Sequence, residues 1–217
     1  MGVRRQQAER SSETRALLVQ ATLSLLQSDG FAGTTTALIA RRAGMTTGAL
    51  HHHYPAKDDL LLDVLDDATA RIQSLLERGN AVGKQPFSAR HLVDHFWQVY
   101  GDTAYWAVWE IIIGTRATPF HERVVAHRRA TIAAVVHPWI ARCLHPAEAR
   151  PEAFRIFEFI LIAIRGLSLE RFLQRDPAYF EAHLSLLADL VGPSLTALAD
   201  DGPHGETATR PHEKHRP

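Results

Sequence analysis

Apolar residues recur along this chain at three- and four-residue spacings, with no stretch of the strict alternation that marks a half-buried strand. The pattern predicts an all-α fold of about nine helices. Leu18, Ala21 and Leu25 form one apolar stripe on a first helix. Its start is read at Ser12, whose hydroxyl can cap free amides while Glu13 meets the positive end of the helix dipole. Asp29-Gly30 closes it, because glycine tolerates the left-handed conformation of a C-terminal cap, and Phe31 packs back on the helix. Thr34, Thr35 and Thr36 offer caps for a short helix from Ala37 to Ala43. Gly44 and Met45 make a turn, and Thr46 caps a third helix ending near Tyr54. After Pro55, Lys57 to Arg78 reads as one helix of roughly 33 Å, with Asp58 and Asp59 in its first turn. Gly79 to Pro86 is a connector, and further helices fall at about 88–100, 103–116, 119–144, 151–174 and 177–199. Residues 201–217, rich in Pro, Gly, His and charge, read as a disordered tail.

A longer helix followed by two short ones around a glycine turn is the helix-turn-helix arrangement. Ile39, Ala40, Ala43, Met45, Leu50 and Tyr54 can form its small core. Thr46, Thr47, Gly48, Ala49, His51, His52 and His53 are then left on the open face of the third helix. Small hydroxyl residues at a helix N-terminus suit a duplex, since they bring backbone amides to phosphate and let the helix sink into the major groove. Lys57 stands just beyond as a phosphate anchor. Charge agrees with this reading. Overall it is balanced, 24 basic against 24 acidic side chains, yet residues 1–57 hold seven Lys and Arg against three carboxylates. A basic first quarter on an acidic remainder points to a polyanion as partner of that segment. Arg4, Arg5 and Arg10 precede the first helix, as an arm against DNA or as a plain tail.

The run Thr36 to Leu60 resembles the DNA-binding signature of the tetracycline-repressor (TetR) family of bacterial regulators. The resemblance rests on Thr36, Ile39-Ala40, Ala43-Gly44, Thr46, Gly48, Leu50, His53-Tyr54, Lys57 and Leu60. His51 departs from the pattern, standing where the family usually has a tyrosine on the DNA backbone, and Tyr54 replaces a commoner phenylalanine. The resemblance implies a DNA-binding head (residues 1–57) and a helical ligand-binding and dimerisation body (58–200). Thr36, Thr46, Thr47, Gly48, Ala49, His51, His52, His53 and Lys57 are the DNA-facing candidates. Alternative roles stay open: helix capping for the Thr34–Thr36 run, close packing for Gly48. An imidazole beside phosphate favours its cationic form, so affinity for DNA is expected to fall as pH rises and the contacting histidine loses its proton.

In the body, Phe96, Trp97, Tyr100, Tyr105, Trp106 and Trp109 crowd a short stretch, with Phe154, Phe157 and Phe159 later. These serve as core or as the wall of a cavity. Polar side chains among them favour a cavity, since ligand sites combine apolar walls with a few placed polar groups. The ligand candidates are His91, His95, Trp97, Tyr100, Trp106, Trp109, Glu110 and Phe157, although Glu110 and Arg116 are equally readable as structural pairs. His91 and His95 have a spacing that can hold a metal, but no third ligand is evident and no metal is expected. The last two helices are apolar on more than one face. That excess predicts a second copy about a two-fold axis, with Phe154, Leu161, Ile164, Leu184, Leu187 and Val191 at the interface and Gly166 and Ser168 allowing close approach.

Enzymatic chemistry finds no support: there is no phosphate loop, no nucleophile elbow and no opposed pair of carboxylates, and no cofactor is expected. A single cysteine, Cys143, and the lack of an apolar leader or spanning run point to a cytoplasmic protein with no membrane partner. The reading is a homodimeric transcriptional regulator, most simply a repressor, that holds a near-palindromic operator and is released by a small-molecule effector. The other class in play is a helical interaction or carrier protein that has lost specific DNA binding.

Overall fold

The computed structural model describes residues 2–78, 88–102, 105–143 and 151–200. They form nine α-helices and no strand: α1 (Gly2–Gly33), α2 (Thr36–Arg42), α3 (Thr47–His53), α4 (Lys57–Arg78), α5 (Ala89–Tyr100), α6 (Trp106–Thr115), α7 (His121–Cys143), α8 (Pro151–Leu169) and α9 (Pro177–Asp200). The expected connector at Gly79 to Pro86 and the tail at 201–217 lie outside the described residues.

Two expectations are corrected here. Ser12 does not start α1; the helix extends back to Gly2 through residues rich in Arg, Gln, Ala and Glu, which are good helix formers with no breaker among them. The backbone carrying Arg4, Arg5 and Arg10 is therefore helix, neither loose arm nor tail. In addition, α8 stops at Leu169 and tightens into a 3-10 turn, Glu170–Phe172, instead of running on to 174.

The caps explain why the remaining boundaries fall where they do. Gly30 turns α1 at φ 69°, a left-handed angle that glycine adopts without a Cβ clash. Thr35, at extended angles, accepts a hydrogen bond from the Leu38 amide at 3.3 Å and opens α2 one residue earlier than its apolar pattern indicated. Gly44, at φ 70°, makes the turn, and Thr46 accepts from the Ala49 amide at 3.1 Å to open α3. Leu18 and Leu26 of α1, Ile39 of α2, Leu50 and Tyr54 around α3, and Leu60 of α4 are buried together, so the first four helices share a core. Ala40 joins it, while Ala43 and Met45 pack against its edge.

In the body, α5, α8 and α9 pack together, and Phe96, Trp139 and Phe157 make its aromatic centre. Helix α4 lies against both α1 and α7. The Trp139 indole donates to the Leu76 carbonyl at 3.0 Å, and Arg128 reaches Thr69 and the Tyr105 hydroxyl, each at 3.3 Å. Helix α6 lies across the C-terminal end of α1. There Gly114 provides the seat for Phe31: a Cβ at 114 would stand 2.1 Å from the ring.

That seat gives a stability test. Gly114→Ala gains up to about 1 kcal/mol of helix propensity but displaces the Phe31 ring, and overpacking of this kind costs about 1–3 kcal/mol. The clash is the larger effect, and the melting temperature should fall by several degrees. Gly48→Ala is the contrast. Its methyl group would meet only Thr46 Oγ1, at 3.9 Å, so the melting temperature should hold or rise.

Candidate nucleic-acid interface and effector groove

Helix α3 is held by its buried side and open on the other. Leu50 is buried, while Thr46, Thr47, Gly48, Ala49, His51 and His52 are exposed and His53 is half-buried. His52 and His53 meet edge to face with centroids 5.5 Å apart. Thr36 is half-buried at the start of α2. Gly48 touches nothing that a methyl group would disturb, so close packing does not account for it.

What fixes the angle of α3 is a polar clasp at its C-terminal end. Tyr54 is wholly buried, and its hydroxyl donates to Asp63 Oδ2 on α4 at 2.5 Å. Arg15 of α1 donates to the same carboxylate at 3.0 Å and to the Tyr54 hydroxyl at 3.3 Å, with its guanidinium 4.6 Å above the Tyr54 ring. Burial, with the Asp63 hydrogen bond adding to it, pushes the Tyr54 phenol up to about 12. The phenol therefore stays a donor across ordinary pH. Nothing in the sequence pairs Arg15 with Asp63, 48 positions away; only the buried Tyr54 could have hinted that its hydroxyl needed a partner.

Lys57 is half-buried rather than extended into solvent. Its ammonium lies 4.4 Å over the Phe31 ring, and burial lowers its pKa. Phe31 thus sits between α4 and α6. On the α6 side its backbone amide donates to Glu110 Oε2 at 2.8 Å. A Cβ on Gly30 would come within 3.3 Å of that same oxygen. Glu110 is consequently engaged as a brace between α6 and the α1 turn, and its partner is a main-chain amide, not Arg116, which is exposed.

The structure does not gather the eight ligand candidates around one opening. Tyr100 and Phe157 are buried packing residues and His91 is exposed. His95 stacks on Trp139 at 5.9 Å and Trp109 lies edge-on to Tyr105. Among the described residues, His95 Nε2, Trp106 Nε1 and Trp109 Nε1 are buried without a hydrogen-bond partner. Only Trp97 and Trp106 line a groove, of about 690 Å³, formed by α5, the start of α6, the 3-10 turn and the start of α9. Arg171, Phe172, Arg175 and Phe180, which the sequence reading passed over, share it.

The interface residues require correction. Leu161, Ile164, Leu184, Leu187 and Val191 are buried within this chain, where α8 and α9 pack on each other and on α5, and Phe154 is half-buried against His137. Within a single chain these side chains are therefore spent mostly on the internal packing of α8 and α9. Among the described residues, the large apolar side chains that α8 and α9 leave uncovered are Phe159, Ile162, Leu186 and Leu190, between 52% and 64% exposed. Gly166 is exposed with open space over it, whereas Ser168 is buried.

Comparison with known proteins places these features. Residues 18–64 match the family of bacterial regulatory proteins, tetR family. The HTH-type transcriptional regulator CymR of Pseudomonas putida is 26% identical over 190 residues, covering 82% of this chain and 89% of that one. The HTH-type transcriptional regulator BetI of Paraburkholderia xenovorans is 47% identical over 47 residues, 22% of this chain and 24% of its own. A transcriptional regulator from Rhodococcus sp. Rha1 superposes with a TM-score of 0.66 at 21% identity, covering 83% of this chain and 96% of that one. No helix among the described residues is long and apolar enough to cross a membrane.

Burial of His95 yields a pH test. Desolvation lowers its pKa in the folded protein, so the unfolded chain binds the proton more readily. Stability from this residue is present above the ordinary histidine value near 6.5 and is lost as pH falls through and below it. The melting temperature of the wild type should drop more between about pH 7 and 5 than that of His95→Gln. Parallel curves for the two proteins would show that the residue contributes nothing.

Proposed function

The chain belongs to the tetR family of bacterial regulatory proteins, and from that premise we propose that it is a homodimeric repressor released from its operator by a small molecule bound in its helical body. The observation that carries the reading is α3: a short, capped helix with a glycine and small hydroxyl residues outward, clasped to α1 and α4 by Arg15, Tyr54 and Asp63. A helix so held can enter the major groove as a rigid element. Residues 1–57 are the reading head and 58–200 the body. In the head, Thr46, Thr47, Gly48, Ala49 and the His51–His53 run face the DNA, with Thr36 at the phosphates. Lys57 supports the head through Phe31.

Two copies joined through Phe159, Ile162, Leu186 and Leu190 of α8 and α9 would bury an apolar strip that a lone chain leaves in water. Their two α3 helices would read half-sites about 34–36 Å apart. The unpaired nitrogens of His95, Trp106 and Trp109 support an effector site in the body, since buried polar atoms without partners are uncommon. The path to the head is short. Trp106 opens α6, Glu110 lies one turn further along it, and Gly114 one turn beyond that; the last two grip the Gly30–Phe31 turn.

Selection of genomic fragments on the purified protein, followed by affinity measurements at several salt concentrations, tests this. Enriched sites should show inverted symmetry, and log affinity should fall linearly with log salt. Gly48→Leu should lower operator affinity about tenfold or more while the melting temperature holds, because position 48 is open to solvent. The pair Ile162→Glu and Leu190→Glu should turn a dimer into a monomer by light scattering. A chain that is monomeric as wild type, or that selects no sites, overturns the proposal.

A further inference from the structure

We infer that the groove at the junction of α5, α6 and α9 is a binding site for a planar aromatic anion, an arene carboxylate in chemical class. This rests on the reading of the body as an effector domain and specifies which part of it takes the ligand. Two stacked pairs form the groove's aromatic surface: Trp97 with Phe180, centroids 5.4 Å apart at 25°, and Trp106 with Phe172, 4.3 Å apart at 27°. Arg171 lies beside them, its guanidinium 5.1 Å from the Trp97 ring and 5.6 Å from Phe180. A volume of about 690 Å³ suits one or two fused rings.

The charges decide the sign of the ligand. The groove holds two carboxylates, Asp94 and Glu181, and both are taken by Arg90, at 2.9 and 2.7 Å. Arg171 and Arg175 have no carboxylate partner among the described residues. What remains to greet a ligand is cationic, and a guanidinium presents paired donors matched to a carboxylate. An arene ring would stack on the indoles and Phe172 while its carboxylate meets Arg171 and Arg175. Aromatic contact on an exposed, half-open surface would be weak alone; the charge-assisted hydrogen bonds make the anion the preferred guest.

Calorimetric titration of the full chain with 2-naphthoate, against neutral 2-naphthamide and cationic ethidium, tests the assignment. We expect 2-naphthoate to bind, 2-naphthamide to bind about tenfold more weakly, and ethidium no better than the amide. Arg171→Gln should weaken 2-naphthoate about fivefold or more and leave 2-naphthamide unchanged, and Arg129→Gln, on the exposed side of α7, should change neither. Equal or tighter binding of the amide or of ethidium overturns the inference, as does wild-type affinity in the double variant Arg171→Gln with Arg175→Gln. Should the variants fail to fold, the three-ligand comparison on the wild type decides. Operator release is read separately. If 2-naphthoate binds with this charge preference and DNA stays bound, the groove stands and the effector reading fails. If another compound releases DNA while 2-naphthoate does not bind, the reverse holds.

Discussion

The contact on which the join of head and body turns is the Phe31 amide on the Glu110 carboxylate, with the ring lodged between Gly114 and Lys57. The C-terminal turn of α1 must leave the helix direction to reach α2, and Gly30 makes that turn at a positive φ. A turn of this kind exposes backbone donors that the helix no longer satisfies. The carboxylate of a body helix accepts one of them, so the head is completed by a residue 79 positions away. Any displacement of α6 therefore reaches the base of the reading head through a charge-assisted hydrogen bond and a close-packed ring.

The long helix α4 provides the second connection. Its first turn carries Lys57 against Phe31 of α1 and its Asp63 anchors Tyr54, so it holds the C-terminal end of α3 and the turn that closes α1. Further along, Asp66 pairs with His127 at 2.7 Å and Asp59 with Arg123 at 3.5 Å, and the Leu76 carbonyl holds Trp139. Both contacts are near the surface and worth little individually. Trp139 is different: it is buried, satisfied, and central to the aromatic core. The body thus holds the C-terminal end of α4 through a buried contact, while the N-terminal end is held by α1 and Tyr54.

Helix positions in this chain were legible because capping residues and apolar stripes agree, as at Thr46 and at Lys57–Arg78. Where one signal is missing the reading fails in a physical way. The first turns of α1 carry no apolar stripe, so periodicity is silent about Gly2 to Ser12. Arg171 and Phe172 were hidden in what read as a continuing helix; the 3-10 turn re-aims them toward α5 and α9. The exchange of inner and outer faces on α8 and α9 has a simpler cause. Both faces are apolar, and sequence alone does not say which meets α5 and which is left in water. The Glu110 contact was out of reach because its acceptor meets a backbone amide, which has no side-chain signature.

These contacts bound what an effector could do. A ligand shifts a two-state equilibrium only by its differential affinity, and allosteric couplings usually amount to about 1–3 kcal/mol, or 5–150-fold. The charge-assisted Phe31–Glu110 bond is itself worth about 1.5–3 kcal/mol. Losing it, or keeping it only in one position of α6, accounts for a full coupling of that size without rearranging the aromatic core. Phe96, Trp139 and Phe157 are packed ring on ring, and a core of that kind resists deformation, so a shift of α6 would fall more readily on the Gly30–Phe31 turn than on the interior. The clasp of Arg15, Tyr54 and Asp63 would then carry the head as one piece, so that in the proposed dimer an effector would change the spacing of two α3 helices and not their shape.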